Sequence, residues 1–504
     1  MKEITNSLIQ WYVRKRVKQM QFFFENPIDV QKNVLSKLLK AAKDTEYGKK
    51  YKFNDIISYR EFKDQVPLVY YEDFEPYITR SRKGEKNLIW PGSIEWYAKS
   101  SGTTNAKSKF IPITKSSLND CHYKAGKDLF SIYAYNNPET KIFNCKNLRL
   151  GGTREDYEDF NSKYGDLSAV LIDNLPFWAE WKSTPNKQVS LLKDWEIKMP
   201  AIINQVVNQN VGSLTGVPSW MMVLLRNILE NNHIKYIDEI WPNLECFFHG
   251  GISFTPYVEQ YKNIFKKSIN YYEIYNASEG YFAMQDTNSS KDMILMLDYG
   301  IFYEFIPMDE FYSENPTIVC LEDIQLNINY ALVISTNGGL WRYIIGDTVR
   351  FVSKKPYRIK VTGRTKFYIN AFGEELMVEN AEQALKVAQD KTKAIISEYT
   401  AGPVFMDGKE KGAHEWVIEF ECQPDSMEEF TRILDLELQK LNSDYEAKRY
   451  NNMTLNPPKV HSAKKNLFYE WMKLRGKLGG QNKIPRLAND REYLNALLEM
   501  NNEL

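Results

Sequence analysis

Between residues 140 and 350 short apolar runs alternate with stretches of helical period, and this alternation narrows the fold more than any other feature of the chain. "SAVLID", "KDMILML" and "YALVIS" read as strands. "SWMMVLLRNILENN", entered through Gly216-Val217-Pro218, reads as a helix with proline near its start. "ISFTPYVEQYKNIFKKS" reads as another helix. Such a pattern argues for an α/β domain with substantial sheet.

The flanks extend it. Residues 1 to about 50 carry Leu8, Trp11, Tyr12, Val30, Val34, Leu35 and Leu38 at helix-like spacing, with Arg14-Lys15-Arg16 expected on a solvated face. After residue 366 a smaller α/β unit follows. "MVENAEQALKVAQD" reads as helix, "HEWVIEFEC" as strand, and "SMEEFTRILDLELQKLNSDYEAKRY" as one long amphipathic helix. A chain of 504 residues is too long for one ordinary core, so two or three domains are expected.

Charge and cysteine usage bound the function. Lys plus Arg equals Asp plus Glu at 65 each, which argues against a nucleic-acid partner held by bulk charge. The five cysteines are odd in number, far apart and without a C-x-x-C, so neither a disulfide framework nor a zinc cluster is expected. Cys121-His122, the only close Cys/His pair, reads as chance adjacency rather than catalysis. No apolar run approaches the roughly 18 residues of a membrane span, and the start lacks a signal-peptide core. The expectation is a soluble cytoplasmic protein with no membrane partner.

"KSSGTTNAKSKFIPIT" (Lys99 to Thr114) gathers small hydroxyl residues around a glycine beside lysines, which suits a phosphate approached by backbone N–H groups and hydroxyls. It is not a Walker loop, and alone it reads equally well as a polar turn. "YNASEGYFAMQ" places Glu279 after a strand-like "YYEIY", where a carboxylate can hold Mg²⁺ on a nucleotide phosphate or simply face water. "NGGLWRYIIGDTVRF" places Asp347 after a glycine between apolar strands, where it can accept from ribose hydroxyls or merely close a turn. "VTGRTKFYINAFGEELMVENAE" has Gly363-Arg364 at a strand end ahead of a new unit, as a hinge requires.

In this order the motifs resemble those of the acyl-adenylate-forming superfamily of acyl-CoA synthetases, peptide-synthetase adenylation domains and luciferases. Within it the chain is most similar to the auxin-responsive promoter family of acyl-acid amido synthetases, through "SSGTTNAKSKFIP", "GIFYEFIPMDEF" and "GGQNKIPRL". The resemblance runs over essentially the whole chain. It implies an α/β fold with a large N-terminal adenylate-forming domain of mixed sheets and helices (residues 1–365) and a smaller, mobile α/β C-terminal domain (366–504).

It also implies chemistry. Family members activate a carboxylic acid with ATP and Mg²⁺ as an acyl adenylate, and plant members pass the acyl group to an amino acid. By resemblance, Ser100, Ser101, Gly102, Thr103 and Thr104 contact the ATP phosphates, and Glu279 is the Mg²⁺ ligand. Gly250 and Gly251 pass the adenine opposite Tyr275, Asn276 and Ser278, and Asp347 holds the ribose. Lys483 reaches the reacting phosphate, and Lys366 matches the hinge position. Val217, Trp220 and Met221 are candidates for the acid pocket, although such residues are more often simple core. One departure is Asn370, which stands where the superfamily usually has a lysine near the α-phosphate. Two alternatives stay open: an acyl-CoA ligase sharing the first half-reaction, and a nucleotide-binding protein without ligase activity. The acid, the acceptor and the oligomeric state are left undetermined.

Overall fold

The computed structural model describes residues 2–503 apart from 101–108, 153, 157–161, 253, 255–256, 366–367, 375, 408–409 and 475–484. Apolar alternation becomes one mixed sheet of eleven strands. One half is an antiparallel series in the spatial order Ile301–Pro307, Asn329–Thr336, Tyr343–Lys354, Tyr357–Arg364, Met293–Leu295, Gly280–Met284 and Asn270–Ala277. From Asn270–Ala277 the sheet continues in parallel pairing through Cys246–Gly250, Val211–Gly216, Lys146–Arg149 and Ser183–Thr184. Parallel strands need crossovers, and the helix Pro218–Asn231, with its proline in the first turn, supplies the one between Val211–Gly216 and Cys246–Gly250. A second sheet, in the order Lys109–Ile113, Trp96–Ser100, Lys163–Gly165, Arg154–Asp156, stands beside it.

Three departures from the sequence reading have local causes. "SAVLID" is helix Leu167–Asp173, not strand. The run is apolar without alternation, and a helix buries Ala169, Val170 and Ile172 together while Asn174 N–H closes onto Val170 O. Only Val258–Ile264 of "ISFTPYVEQYKNIFKKS" is described as helix, because Phe265 returns to extended backbone. The long helix expected after residue 426 is two, Met427–Leu441 and Ser443–Arg449. Asn442 breaks it with φ −142° and caps the second helix by accepting from Tyr445 N–H. The bend lets Tyr445 Oη and Arg449 Nε reach the buried Asp435 at 2.8 and 2.7 Å.

The first fifty residues form helices Lys2–Glu25, Pro27–Ala42 and Glu46–Lys50. Arg16 does not lie on a solvated face. It is buried, with Nε and Nη2 on the two oxygens of Asp128 at 2.7 and 2.6 Å and Nη1 on Asp298 at 3.0 Å. These partners stand far along the chain, so local charge patterning could not reveal them. The first helix is thereby bolted to helix Tyr123–Asn136.

After residue 366 a three-stranded sheet of Ile395–Val404, Ala413–Cys422 and Lys459–Ala463 carries helices Val378–Thr392 and Met427–Leu441. One apolar cluster runs across residue 366, joining Leu214, Met221 and Trp241 to Ile369, Phe372 and Trp416. No described helix is long and apolar enough to cross a membrane.

Candidate active site

In open α/β sheets ligands collect outside the carboxyl ends of parallel strands. Here those ends border a cavity of about 1690 Å³. Its shape begins with glycine. A Cβ on Gly250, at the end of Cys246–Gly250, would lie 2.3 Å from the carbonyl oxygen of Ile274 on the neighbouring strand. Gly251 follows at φ +84°, a left-handed conformation that side chains resist. The backbone can therefore turn sharply away and leave room in front of Tyr275.

The next strand, Asn270–Ala277, folds back through Ser278-Glu279 into Gly280–Met284, with Ala277 paired to Gly280. That tight turn holds Glu279 at the cavity wall together with Asn276 and Ser278. Burial raises its carboxyl to about 7; the positive charges of Lys109 and Arg364 draw it down, and Asp347 pushes it up. Such a carboxylate, short of solvent and of a full counter-charge, is matched to a cation. Among the described residues no cluster of three or more His, Cys, Asp or Glu forms a metal cage. One carboxylate completed by phosphate oxygens is how Mg²⁺ is commonly held, so the residues present fit that ion.

Asp347 arrives from the strand Tyr343–Lys354, just after Gly346 at φ +93°. It accepts from Tyr275 Oη at 2.7 Å on one oxygen and from Arg364 Nε at 2.8 Å on the other. Each carboxylate oxygen keeps a second lone pair, so two further donors can be received. Neither Arg364 nor Tyr275 was singled out from the sequence as a partner of Asp347. The direct register of Asp347 opposite Arg364 creates the first contact.

Ser100 and Lys109 are partners across the hairpin Trp96–Ser100 and Lys109–Ile113, and both line the cavity. Ser101, Gly102, Thr103, Thr104 and Lys107 between them lie outside the described residues, as do Lys366 and Lys483. Val217 and Trp220 line the cavity. Met221 is fully buried in the core behind its wall. Asn370 also lines it, and its amide donates to Gly251 O at 3.2 Å while its backbone N–H meets Asn489 Oδ1 at 2.6 Å. It thus ties the glycine turn to a segment near the end of the chain. Arg149, at the carboxyl end of Lys146–Arg149, is not marked by the sequence, because the strand reads Lys-Asn-Leu-Arg and one more charge in it does not stand out.

Comparison with known proteins covers nearly the whole chain. The GH3 family N-terminal domain matches residues 16–269, the GH3 family central domain 294–364 and the GH3 family C-terminal domain 379–492. Probable indole-3-acetic acid-amido synthetase GH3.1 of Arabidopsis thaliana is 23% identical, the match covering 94% of this chain and 92% of the relative. Jasmonoyl–L-amino acid synthetase JAR4 of Nicotiana attenuata is 23% identical over 66% of this chain and 68% of its own. Among solved structures, AtGH3.15 acyl acid amido synthetase in complex with 2,4-DB superposes with a TM-score of 0.62 at 17% identity, covering 98% of this chain and 96% of that one. A 2-hydroxyisobutyryl-CoA ligase in its thioester-forming state gives 0.57 at 12% identity, covering 95% and 93%. These structures share the fold, a large N-terminal and a smaller C-terminal α/β part.

Proposed function

The chain belongs to the GH3 family, and on that premise we propose that it is an ATP-dependent acyl-acid amido synthetase, a ligase that forms a carbon–nitrogen bond through an acyl adenylate. The observation that carries the reading is convergence. Ser100, Gly250, Tyr275 with Glu279, and Asp347 come from four separate segments and line a single cavity.

A carboxylate is a poor electrophile, and adenylation supplies the leaving group it lacks. In the first step a carboxylate oxygen bonds to the α-phosphorus of ATP as the bond to pyrophosphate breaks. In the second an amine nitrogen attacks the acyl carbon, AMP departs, and the nitrogen gives up a proton. The protein's work is to position the two reactants and to balance phosphate charge.

Gly250 and Gly251 provide the flat approach for adenine opposite Tyr275, with Asn276 and Ser278 alongside. Asp347, oriented by Tyr275 and Arg364, takes the two ribose hydroxyls on its remaining lone pairs. Ser100, with Ser101, Gly102, Thr103 and Thr104, receives the β- and γ-phosphates, and Lys109 adds charge at the base of that loop. Glu279 would hold Mg²⁺, which neutralises phosphate charge when bound. Lys483 supplies a cation to the reacting phosphate, and Asn370 offers only a neutral amide on that side. We place the boundary between the large and small domains at residues 365/366, with Lys366 as hinge, the small domain moving between the two steps. The setting is the cytoplasm, and the partners are a small carboxylic acid and an amino acid.

Pyrophosphate exchange screened over a panel of carboxylic acids tests the reading. Exchange should depend on Mg²⁺ and fall sharply in Glu279→Ala. Nucleotide binding without exchange for any acid would leave a binding protein only. The fold shared with a CoA ligase makes thioester formation the second reading, and the product decides: an amide with an amino acid, or a thioester with CoA.

A further inference from the structure

The cavity is lined by two polar side chains that the reaction scheme above does not use. Arg149 ends the strand Lys146–Arg149, directly opposite Thr215 on the next parallel strand. Its Nε and Nη2 are buried and have no hydrogen-bond partner among the described residues. Burial lowers the guanidinium to about 10, with Glu180 and Tyr123 opposing the shift, so it stays charged at neutral pH.

His122 is the second. It is buried, it lines the same cavity, and neither ring nitrogen has a partner among the described residues. Burial lowers it to about 4, so the ring is neutral and offers one donor and one acceptor. It is delivered by a widened helical turn, Ser117–His122, in which Tyr123 N–H reaches back five residues to Leu118 O. Such turns are uncommon and recur at functional sites.

Buried guanidinium N–H groups that meet no partner among the described residues cost free energy, so they persist where something else rewards them. Arg149 stands two strands from Gly250 in the parallel part of the sheet, roughly 10 Å across the strands at the usual spacing, with Gly250 two residues further along its own. The nucleotide end of the cavity and Arg149 are thus separated by about the length of a small acid.

We propose that Arg149 receives a second anionic group of the acyl substrate, so that the acid activated here carries a carboxylate or comparable anion remote from the one adenylated, with His122 hydrogen-bonded beside it. The assignment rests on the acyl-activating reading above. A planar guanidinium with adjacent free donors matches a carboxylate bidentately. The same chemistry is offered by the α-carboxylate of an amino-acid acceptor, which the test separates.

Pyrophosphate exchange without any amine is measured for α,ω-dicarboxylic acids and monocarboxylic acids of matched chain length, on the wild type and on Arg149→Gln. The wild type should prefer diacids by at least about tenfold in kcat/KM. Arg149→Gln should abolish that preference through KM for the diacid and leave KM for ATP unchanged. Because it removes two buried donors that meet no partner among the described residues, Arg149→Met should melt at or above the wild-type temperature without ligand. Three results would overturn the proposal: no diacid preference in the wild type, a variant effect confined to KM for the amino acid in the complete reaction, or a lowered melting temperature in Arg149→Met. Thermal shift by diacids alone keeps the two readings apart. A shift present in the wild type and lost in Arg149→Gln, with no exchange for any acid, sinks the ligase reading and leaves Arg149 assigned.

Discussion

Asp347 and Arg364 face each other in register across two antiparallel strands, with Arg364 Nε 2.8 Å from the carboxylate. Arg364 closes the strand Tyr357–Arg364, so the side chain that orients the candidate ribose acceptor sits at a strand end, where the match to the GH3 family central domain also stops. Removing a hydrogen bond to a charged group costs about 1.5–3 kcal/mol, or roughly ten- to hundredfold in affinity. Arg364→Met should therefore raise KM for ATP by about tenfold. Asp347→Ala, which removes the acceptor itself, should raise it by about a hundredfold or more. Exchange kinetics at varied ATP check both, and an unchanged KM in Asp347→Ala would remove this residue from the nucleotide site.

Glu279 gives a pH dependence with a definite sign. Its carboxyl moves from 4.5 to about 7 in the folded chain, chiefly through burial. If the ionised form binds the cation, kcat/KM for ATP should climb as pH rises toward 7 and level above it. The native state holds more protons than the unfolded one between those values. The contribution of this group to stability is therefore full below about 4.5 and fades as pH rises through about 7. Glu279→Gln should remove both slopes and lower kcat by about a hundredfold or more. A variant that keeps the rising limb assigns it to another group.

Gly250 and Gly251 separate two reasons for glycine. A Cβ at Gly250 meets backbone at 2.3 Å, which no rotamer relieves, and Gly250→Ala should destabilise by about 1–3 kcal/mol. Gly251→Ala meets only Val217 Cγ2 at 3.4 Å but must hold φ +84°, at a cost of about 1–2 kcal/mol. Melting temperature should fall in both. KM for ATP should rise more in Gly250→Ala, because the strand ends Cys246–Gly250 and Asn270–Ala277 must part there. Equal KM values would show that this turn does not border the nucleotide.

What could be read from sequence was whatever the chemistry confines to a short string. A glycine before Asp347 and a two-residue turn around Glu279 are local requirements that a short string carries. Contacts made by sheet register or between distant helices are not. Tyr275 meets Asp347 across 72 positions, and Arg16 meets Asp128 across 112. "SAVLID" failed because a short apolar run has no period to measure. Met221 and Trp220 are neighbours in one helix, yet only Trp220 reaches the cavity wall, a matter of helix rotation that composition does not record.

Arg16 carries the last prediction. Its guanidinium takes both oxygens of Asp128, which also accepts from Tyr299 Oη at 2.8 Å, and a third bond goes to Asp298. Burial pushes the Asp128 carboxyl up, and Arg16 draws it back. Arg16→Ala leaves that carboxylate buried without its cation, which costs about 3–5 kcal/mol. Adding Asp128→Ala should restore part of the loss, because the unpaired charge is then gone, whereas two independent contributions would simply add. Urea midpoints of the four proteins in the cycle measure this. The pair lies outside the candidate nucleotide site, so KM for ATP should stay at the wild-type value while the midpoint falls. A single variant within about 0.5 kcal/mol of the wild type would show that the first helix is held by its apolar face alone.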